Sequence, residues 1–262
     1  MLEVTILSVL QGIAEFLPIS SSGHLVLGKS LLGLGDVGIR LDIFLHVGTL
    51  FAVCAFYWRI ICRIALGAFG LGGESPREAW LYCVKIVVSA VPAAVVGILL
   101  KDRIEEAFAS PKLVGAALVF TGLVLTTTRF LSRGKDGVGF IHAIVMGIAQ
   151  AIAILPGVSR SGMTLAAARA SKVDPEKAAE FSFLMSVPPI AGAALLEIVK
   201  SLKESAPAVA EVSWGLTIYG AALAAVVGYF ALALLLRSLR SDKFWLFGPY
   251  CVVAGAVAIA CC

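Results

Sequence analysis

Long apolar runs joined by short polar connections dominate this chain, and they predict helices long enough to cross a membrane. Full spans fall near 42–66, 78–100, 112–131, 175–200, 214–237 and 243–261, each close to the ~20 residues that carry a helix across a ~30 Å hydrocarbon layer. Three of them begin at Ser75-Pro76, Ser110-Pro111 and Asp174-Pro175. In each, a capping side chain precedes a proline suited to the first helical position. Pro188-Pro189 predicts a kink in the fourth span, because neither residue donates a backbone hydrogen bond.

Two further apolar stretches, 1–33 and 138–171, are broken midway by Leu-Pro and a Ser/Gly cluster. Broken backbone at membrane depth survives where it is packed in protein or lines a cavity, so both read as re-entrant hairpins around a cavity. They resemble each other. Gly12-Ile-Ala-Glu15 followed by Leu17-Pro-Ile-Ser-Ser-Ser-Gly23 parallels Gly147-Ile-Ala-Gln150 followed by Leu155-Pro-Gly-Val-Ser-Arg-Ser-Gly162. The chain therefore reads as an internal duplication, about 1–133 and 138–262, within one membrane domain covering 1–262. One hairpin and three spans per half make the crossings odd, so the second half is inverted. The expected fold is an all-α polytopic membrane protein with six transmembrane helices and two re-entrant helical hairpins in an inverted-topology repeat.

Composition agrees: 60% of the 262 residues are hydrophobic and the mean hydropathy is +0.97, where a soluble domain carries roughly 45–50% apolar residues. The start of the chain lacks the pattern of a cleaved secretory leader, so it is expected in the mature protein. The six cysteines lie mostly in or beside apolar segments without a CxxC pair, and read as small apolar residues. If each hairpin returns to its own side, Arg59, Arg63, Arg77, Arg129, Arg133, Lys135, Arg169, Lys172, Lys177, Arg237, Arg240 and Lys243 share one face. The opposite face, with both termini, holds Lys29, Arg40, Lys101, Arg103, Lys112, Lys200 and Lys203. The positive-inside rule makes the richer face cytoplasmic. Both termini and the mouth of the first hairpin then lie on the outer side of the membrane. Basic residues spread over loops fit topology and give no support to nucleic-acid binding.

The polar residues concentrate at the two breaks: Gln11, Glu15, Ser20, Ser21, Ser22 and His24 in the first, Ser159, Arg160 and Ser161 in the second. Ionisable groups inside a membrane are expensive and mark functional sites. Gln11 and Glu15 share a helix face, so Glu15 is placed to hold a divalent cation or accept a proton, or else simply to pair with Arg160. The serines after each proline cap a helix, and the same free amides and dipole end bind anions. Arg160 adds a planar donor fork for phosphate oxygens. His24 is read with this cluster and His46 as structural. Asp42 is either a helix cap or a second acidic group at the cavity mouth.

The segment Gln11-Gly-Ile-Ala-Glu15-Phe-Leu-Pro-Ile-Ser-Ser-Ser-Gly-His24 resembles the [E/Q]xxxE and following Ser/His motif of the bacitracin-resistance type undecaprenyl-diphosphate phosphatases. Pro156-Gly-Val-Ser-Arg-Ser-Gly162 resembles that family's PGxSRSG motif, and Asp42-Ile-Phe-Leu-His-Val-Gly-Thr49 and Phe181-Ser-Phe-Leu-Met-Ser-Val-Pro188 are weaker matches. The resemblance implies hydrolysis of C55 polyprenyl diphosphate to the monophosphate and phosphate at an outward-facing site, with a divalent cation, Mg²⁺ or Ca²⁺. It further implies recycling of the cell-wall lipid carrier and bacitracin resistance. Gln11 stands where many members have glutamate, which shifts the acidic role onto Glu15. Glu15, Ser21, His24 and Arg160 are the expected catalytic residues, with Glu15 as the metal ligand and either Ser21 or a water activated by His24 as nucleophile. Gln11, Ser20, Ser22, Gly23, Gly157, Ser159, Ser161 and Gly162 are expected to bind substrate. The expected partners are undecaprenyl diphosphate and the lipid bilayer, and a homodimer is left open. The rival classes are a polyprenyl-phosphate or other secondary transporter, on the inverted repeat alone, and a membrane scaffold, which leaves the polar cluster without a purpose.

Overall fold

A computed structural model describes residues 1–31, 39–71, 75–192, 194, 195 and 212–261, and it is helical throughout, with one isolated bridge between Asp136 and Val173. The helices run α1 Leu2–Phe16, α2 Ser21–Leu31, α3 Ile39–Phe56, α4 Trp58–Ala68, α5 Pro76–Leu99, α6 Lys101–Phe108 and α7 Pro111–Thr127. They continue with α8 Phe140–Ile152, α9 Arg160–Ala170, α10 Pro175–Leu184, a helical segment over 187–192 (α11), α12 Trp214–Arg240 and α13 Phe247–Cys261. Among the described residues four helical stretches are long and apolar enough to span a membrane: Pro76–Leu99, Pro111–Phe130, Trp214–Arg240 and Phe244–Cys261. The bent pair α3 and α4 makes a fifth.

The burial pattern is that of a protein dissolved in hydrocarbon. Ser89, Thr121 and Thr217 are fully buried, while Val87, Val91 and Ile98 stand on the outside. The inward hydroxyls are satisfied on the protein itself, Ser89 Oγ on the Ile86 carbonyl at 2.7 Å and Thr121 Oγ1 on the Gly157 carbonyl at 3.0 Å, as an apolar solvent requires. The chain is a multi-pass membrane protein. With no hydrophobic force to join helices inside lipid, close approach of backbones does that work. A Cβ on Gly48 of α3 would sit 2.1 Å from the Ala221 carbonyl oxygen of α12. A Cβ on Gly122 of α7 would sit 2.6 Å from the Gly248 carbonyl oxygen of α13.

The three Ser/Asp-Pro starts cap their helices as expected. Ser75 accepts from the Glu78 amide, Ser110 from that of Leu113, and Asp174 from those of Glu176 and Lys177. The expected single span 42–66 is instead two helices meeting at 73°. By Phe56 α3 has run 18 residues, about the thickness of the hydrocarbon layer, and Arg59 and Arg63 follow the turn at Tyr57. The turn lays Ile60, Ile61 and Ile64 of α4 against the core. The expected span 175–200 is interrupted too. α10 ends at Leu184, Met185 and Ser186 form a turn, and the helix resumes at 187 through both prolines. Pro188 and Pro189 cannot bond back to Leu184 and Met185, so the ladder is released one turn earlier. The Ser186 amide turns to the Phe183 carbonyl at 3.3 Å. The end of this expected span, 196–200, lies outside the described residues.

Both interrupted stretches are helix, short break, helix: α1 to α2 across Leu17–Ser20, and α8 to α9 across Ala153–Ser159. The two breaks touch, which fixes where polar side chains can collect. A core of Phe16, Phe181 and Phe183 lies behind α1, with Phe16 edge-on to Phe183 at 5.5 Å.

Candidate active site

The breaks are held by backbone conformations that few residues adopt. Ser20 has φ 69° and Gly157 φ 93°, both left-handed. Such strain in a non-glycine residue persists only where the surroundings dictate it. At Ser20 its own hydroxyl helps, accepting from the Gly23 amide at 3.3 Å and lying 3.3 Å from Ser22 Oγ. The second break repeats the pattern: Ser159 Oγ accepts from the Gly162 amide at 3.1 Å and lies 3.3 Å from Ser161 Oγ. Thr121 clamps this loop from α7, donating to the Gly157 carbonyl and accepting from the Ser159 amide at 3.2 Å.

With the repeat glycines Gly23 and Gly162 in register, Ser20 matches Ser159 and Ser22 matches Ser161. Between them, Ser21 matches Arg160. The tips pack directly. A Cβ on Gly23 would lie 3.0 Å from the Gly157 Cα, and one on Gly162 would lie 3.3 Å from the Pro18 Cβ. Ser161 Oγ also reaches the Leu17 carbonyl at 3.3 Å. Gly23, Gly157 and Gly162 therefore lie in the contact between the tips.

Glu15, near the end of α1, is the centre of the polar cluster and is buried. Its Oε1 accepts from Arg160 Nη2. Its Oε2 accepts from Ser21 Oγ at 2.6 Å and from Gln11 Nε2 at 3.1 Å, and His46 Nε2 is 3.7 Å away. The ion pair considered from sequence is thus present, and it leaves the carboxylate in contact with the Ser21 hydroxyl. A cavity of about 490 Å³ opens beside this cluster, lined by Glu15, Ser20, Ser21, Ser22, Asp42, His46, Gln150, Ser159, Arg160 and Ser161 among apolar residues. The first turns of α2 and α9 both contribute to its wall, and a helix start leaves amides free for an anion. Gln11 lies behind Glu15, fully buried, with its Oε1 unpartnered.

His24 is not among the residues lining this cavity. Its Nδ1 donates to the Ser20 carbonyl at 2.9 Å, and its Nε2 meets Tyr250 Oη at 2.8 Å, with the two rings stacked at 5.7 Å. The histidine on the cavity wall is His46, which sequence reasoning left as structural. Its Nδ1 donates to the Asp42 carbonyl at 2.8 Å, so in the neutral ring Nε2 is a lone pair facing Glu15. Asp42 is in the first turn of α3 and pairs with Lys29 at 2.5 Å, with its Oδ1 buried and unpartnered. The spacing Asp42, His46, Thr49 is that of one helix face, and this was the signal that could have drawn His46 into the cluster. Gln150 was also missed. It is buried and lines the cavity, and neither amide atom has a partner.

A carboxylate in contact with a hydroxyl, opposite an arginine whose Nη1 is buried and unpartnered, can activate an oxygen nucleophile against an anionic centre. For a divalent cation, the oxygens on the cavity wall are those of Glu15 and Ser21, with Gln11 Oε1 behind them. No group of three or more His, Cys, Asp or Glu is placed to hold a metal among the described residues. Oxygen donors of this kind are the type that a hard cation such as Mg²⁺ or Ca²⁺ takes.

Residues 4–257 match the protein family described as bacitracin resistance protein BacA. The chain is 41% identical over 262 residues to an undecaprenyl-diphosphatase of Moorella thermoacetica, covering 99% of this chain and 97% of the relative. It is 39% identical over 269 residues to one of Desulforapulum autotrophicum, with 97% and 95% covered. For one of Parabacteroides distasonis the identity is 36% over 262 residues, with 99% and 97% covered.

Proposed function

The chain belongs to the bacitracin resistance BacA family, and we propose that it hydrolyses undecaprenyl diphosphate to the monophosphate and inorganic phosphate in the cavity around Glu15, Ser21 and Arg160. The observation that carries the site assignment is the 2.6 Å hydrogen bond from Ser21 Oγ to Glu15 Oε2 beside the unpartnered Arg160 Nη1. A transporter needs no activated hydroxyl at its solute site.

Ser21 Oγ attacks the terminal phosphorus as Glu15 takes its proton, and the bond to the bridging oxygen breaks, releasing undecaprenyl phosphate. Charge growing on the phosphoryl oxygens meets Arg160 and the free amides at the starts of α2 and α9. Preorganised donors of this kind supply the largest share of acceleration in such reactions. Water then attacks the phosphoserine and loses its proton to His46 Nε2. The P–O bond to Ser21 breaks, the serine oxygen regains a proton from Glu15, and phosphate leaves. Glu15 would hold the divalent cation, which would neutralise diphosphate charge when bound. His24 supports the reaction from behind, by fixing the Ser20 carbonyl.

The lipid chain lies along a second, wholly apolar groove lined by Pro92, Val95, Leu100, Ile148, Ile152 and Leu155, which shares Ile154 with the catalytic cavity. The paired breaks support a membrane domain of two inverted repeats, about 1–133 and 138–262, with six spans and two re-entrant hairpins. Membership of the family supports a bacterial cytoplasmic (inner) membrane location, and the distribution of lysine and arginine supports an orientation with both termini and the cavity mouth on the outer side.

The experiment is phosphate release from undecaprenyl diphosphate by the purified protein, with and without chelator, alongside rapid acid quench of a terminally ³²P-labelled substrate. Chelator-sensitive release with label on Ser21 is expected. Release that persists in Ser21→Ala, with no labelled protein at any time, would replace Ser21 by water as the nucleophile.

A further inference from the structure

Gln150 is 5% exposed and lines the catalytic cavity, yet neither its Nε2 nor its Oε1 has a hydrogen-bond partner. Burying an unpaired amide is costly, so a group of this kind is kept for a partner that arrives. Arg160, which lines the same cavity, carries in Nη1 a second buried donor without a partner. Two vacant N–H donors in one cavity call for an acceptor-rich anion. The repeat strengthens the point. Gln150 occupies on α8 the place that Glu15 occupies on α1, just as Arg160 occupies the place of Ser21. At both positions the first hairpin carries an electron-rich group and the second an N–H donor.

We propose that Gln150 is a substrate-binding residue that donates its side-chain amide to a phosphate oxygen of the diphosphate. This rests on the phosphatase reading above. A neutral amide can grip the diphosphate without adding a charge that would hold the released phosphate, whereas Arg160 supplies the charge.

The test compares Gln150→Met, which keeps length and removes both polar ends, with Gln150→Glu, which keeps shape and adds a negative charge. Phosphate release from undecaprenyl diphosphate gives KM and kcat, and melting in detergent with and without methylenediphosphonate gives stability and headgroup binding. A hydrogen bond to a charged group is worth enough for KM to rise about tenfold or more in Gln150→Met. The methylenediphosphonate-induced rise in Tm should shrink with it, while the unliganded Tm stays equal or increases because an unpaired buried amide is gone. Gln150→Glu should lose more activity than Gln150→Met. A wild-type KM and a full methylenediphosphonate response in Gln150→Met would overturn the proposal. So would a lowered unliganded Tm with KM unchanged, which would make Gln150 a structural residue. A wild-type protein that releases no phosphate would overturn the phosphatase reading, and this proposal with it.

Discussion

Glu15→Gln separates the two tasks of the central carboxylate. The substitution keeps the side-chain volume and one oxygen, and removes the charge that faces Arg160 and the base that faces Ser21. For stability, removing one partner of a buried ion pair costs about 3–5 kcal/mol. The low end is expected here, because the Arg160 side chain is 17% exposed to the cavity against 7% for Glu15. For turnover, losing a general base costs about 10²–10⁴-fold. Arg160→Gln in the same chain removes the orphaned guanidinium, so the double variant should be about 1–3 kcal/mol more stable than the sum of the single losses. Its turnover should be no lower than that of the worse single variant, because both residues serve one step. Melting in a single detergent, paired with phosphate release at saturating substrate, measures both. Strict additivity in stability together with additivity in turnover would refute the coupling of Glu15 to Arg160 and the assignment of Glu15 as base.

Gly48→Ala should lower stability by about 1–3 kcal/mol or more, because its Cβ would stand 2.1 Å from a backbone oxygen of α12 that cannot swing aside. Expression level and melting temperature check this, and a wild-type Tm would mean that α3 and α12 are further apart. His46→Asn should slow turnover by about 10²-fold or more and let labelled phosphoserine accumulate, whereas His24→Phe, which keeps a ring against Tyr250, should retain most of the turnover. Equal losses in the two variants would undo the distinction drawn from the cavity lining. Removing divalent cations with chelator should abolish phosphate release and adding Mg²⁺ or Ca²⁺ should restore it, and chelator-resistant release would remove the cation from the scheme.

Much of the site was legible because membrane depth makes polar residues conspicuous. Glu15, Ser21 and Arg160 stand out against apolar surroundings, and the structure brings them into contact. The capped starts at Ser75, Ser110 and Asp174 were local, so spacing sufficed. The break at Tyr57 was hidden because Arg59 and Arg63 follow at helical spacing, and apolar periodicity continues through them. The break at Met185 was displaced from the prolines that cause it, since a missing donor is felt one turn upstream. His24 and His46 could not be ranked from neighbours in sequence. Tyr250, which engages His24, is 226 positions away, and Glu15, which faces His46, lies on another helix.

The matching of the two tips accounts for a single reaction centre in the proposed scheme. The caps are preserved in both hairpins: Ser20 and Ser159 each hold the amide three residues on, and each lies 3.3 Å from the serine two residues on. What differs is the residue between those serines and the residue at the end of the leading helix. The first hairpin presents Ser21 and Glu15, the nucleophile and base of the proposed reaction. The second presents Arg160 and Gln150, donors for the group under attack. Neither hairpin alone could attack and stabilise a phosphoryl group, because two electron-rich groups would repel the diphosphate and two donors would only bind it. The proposed reaction therefore requires the tips to meet, and the close approach of Gly23 to Gly157, where a Cβ on Gly23 would lie 3.0 Å from the Gly157 Cα, serves that chemistry as well as the fold.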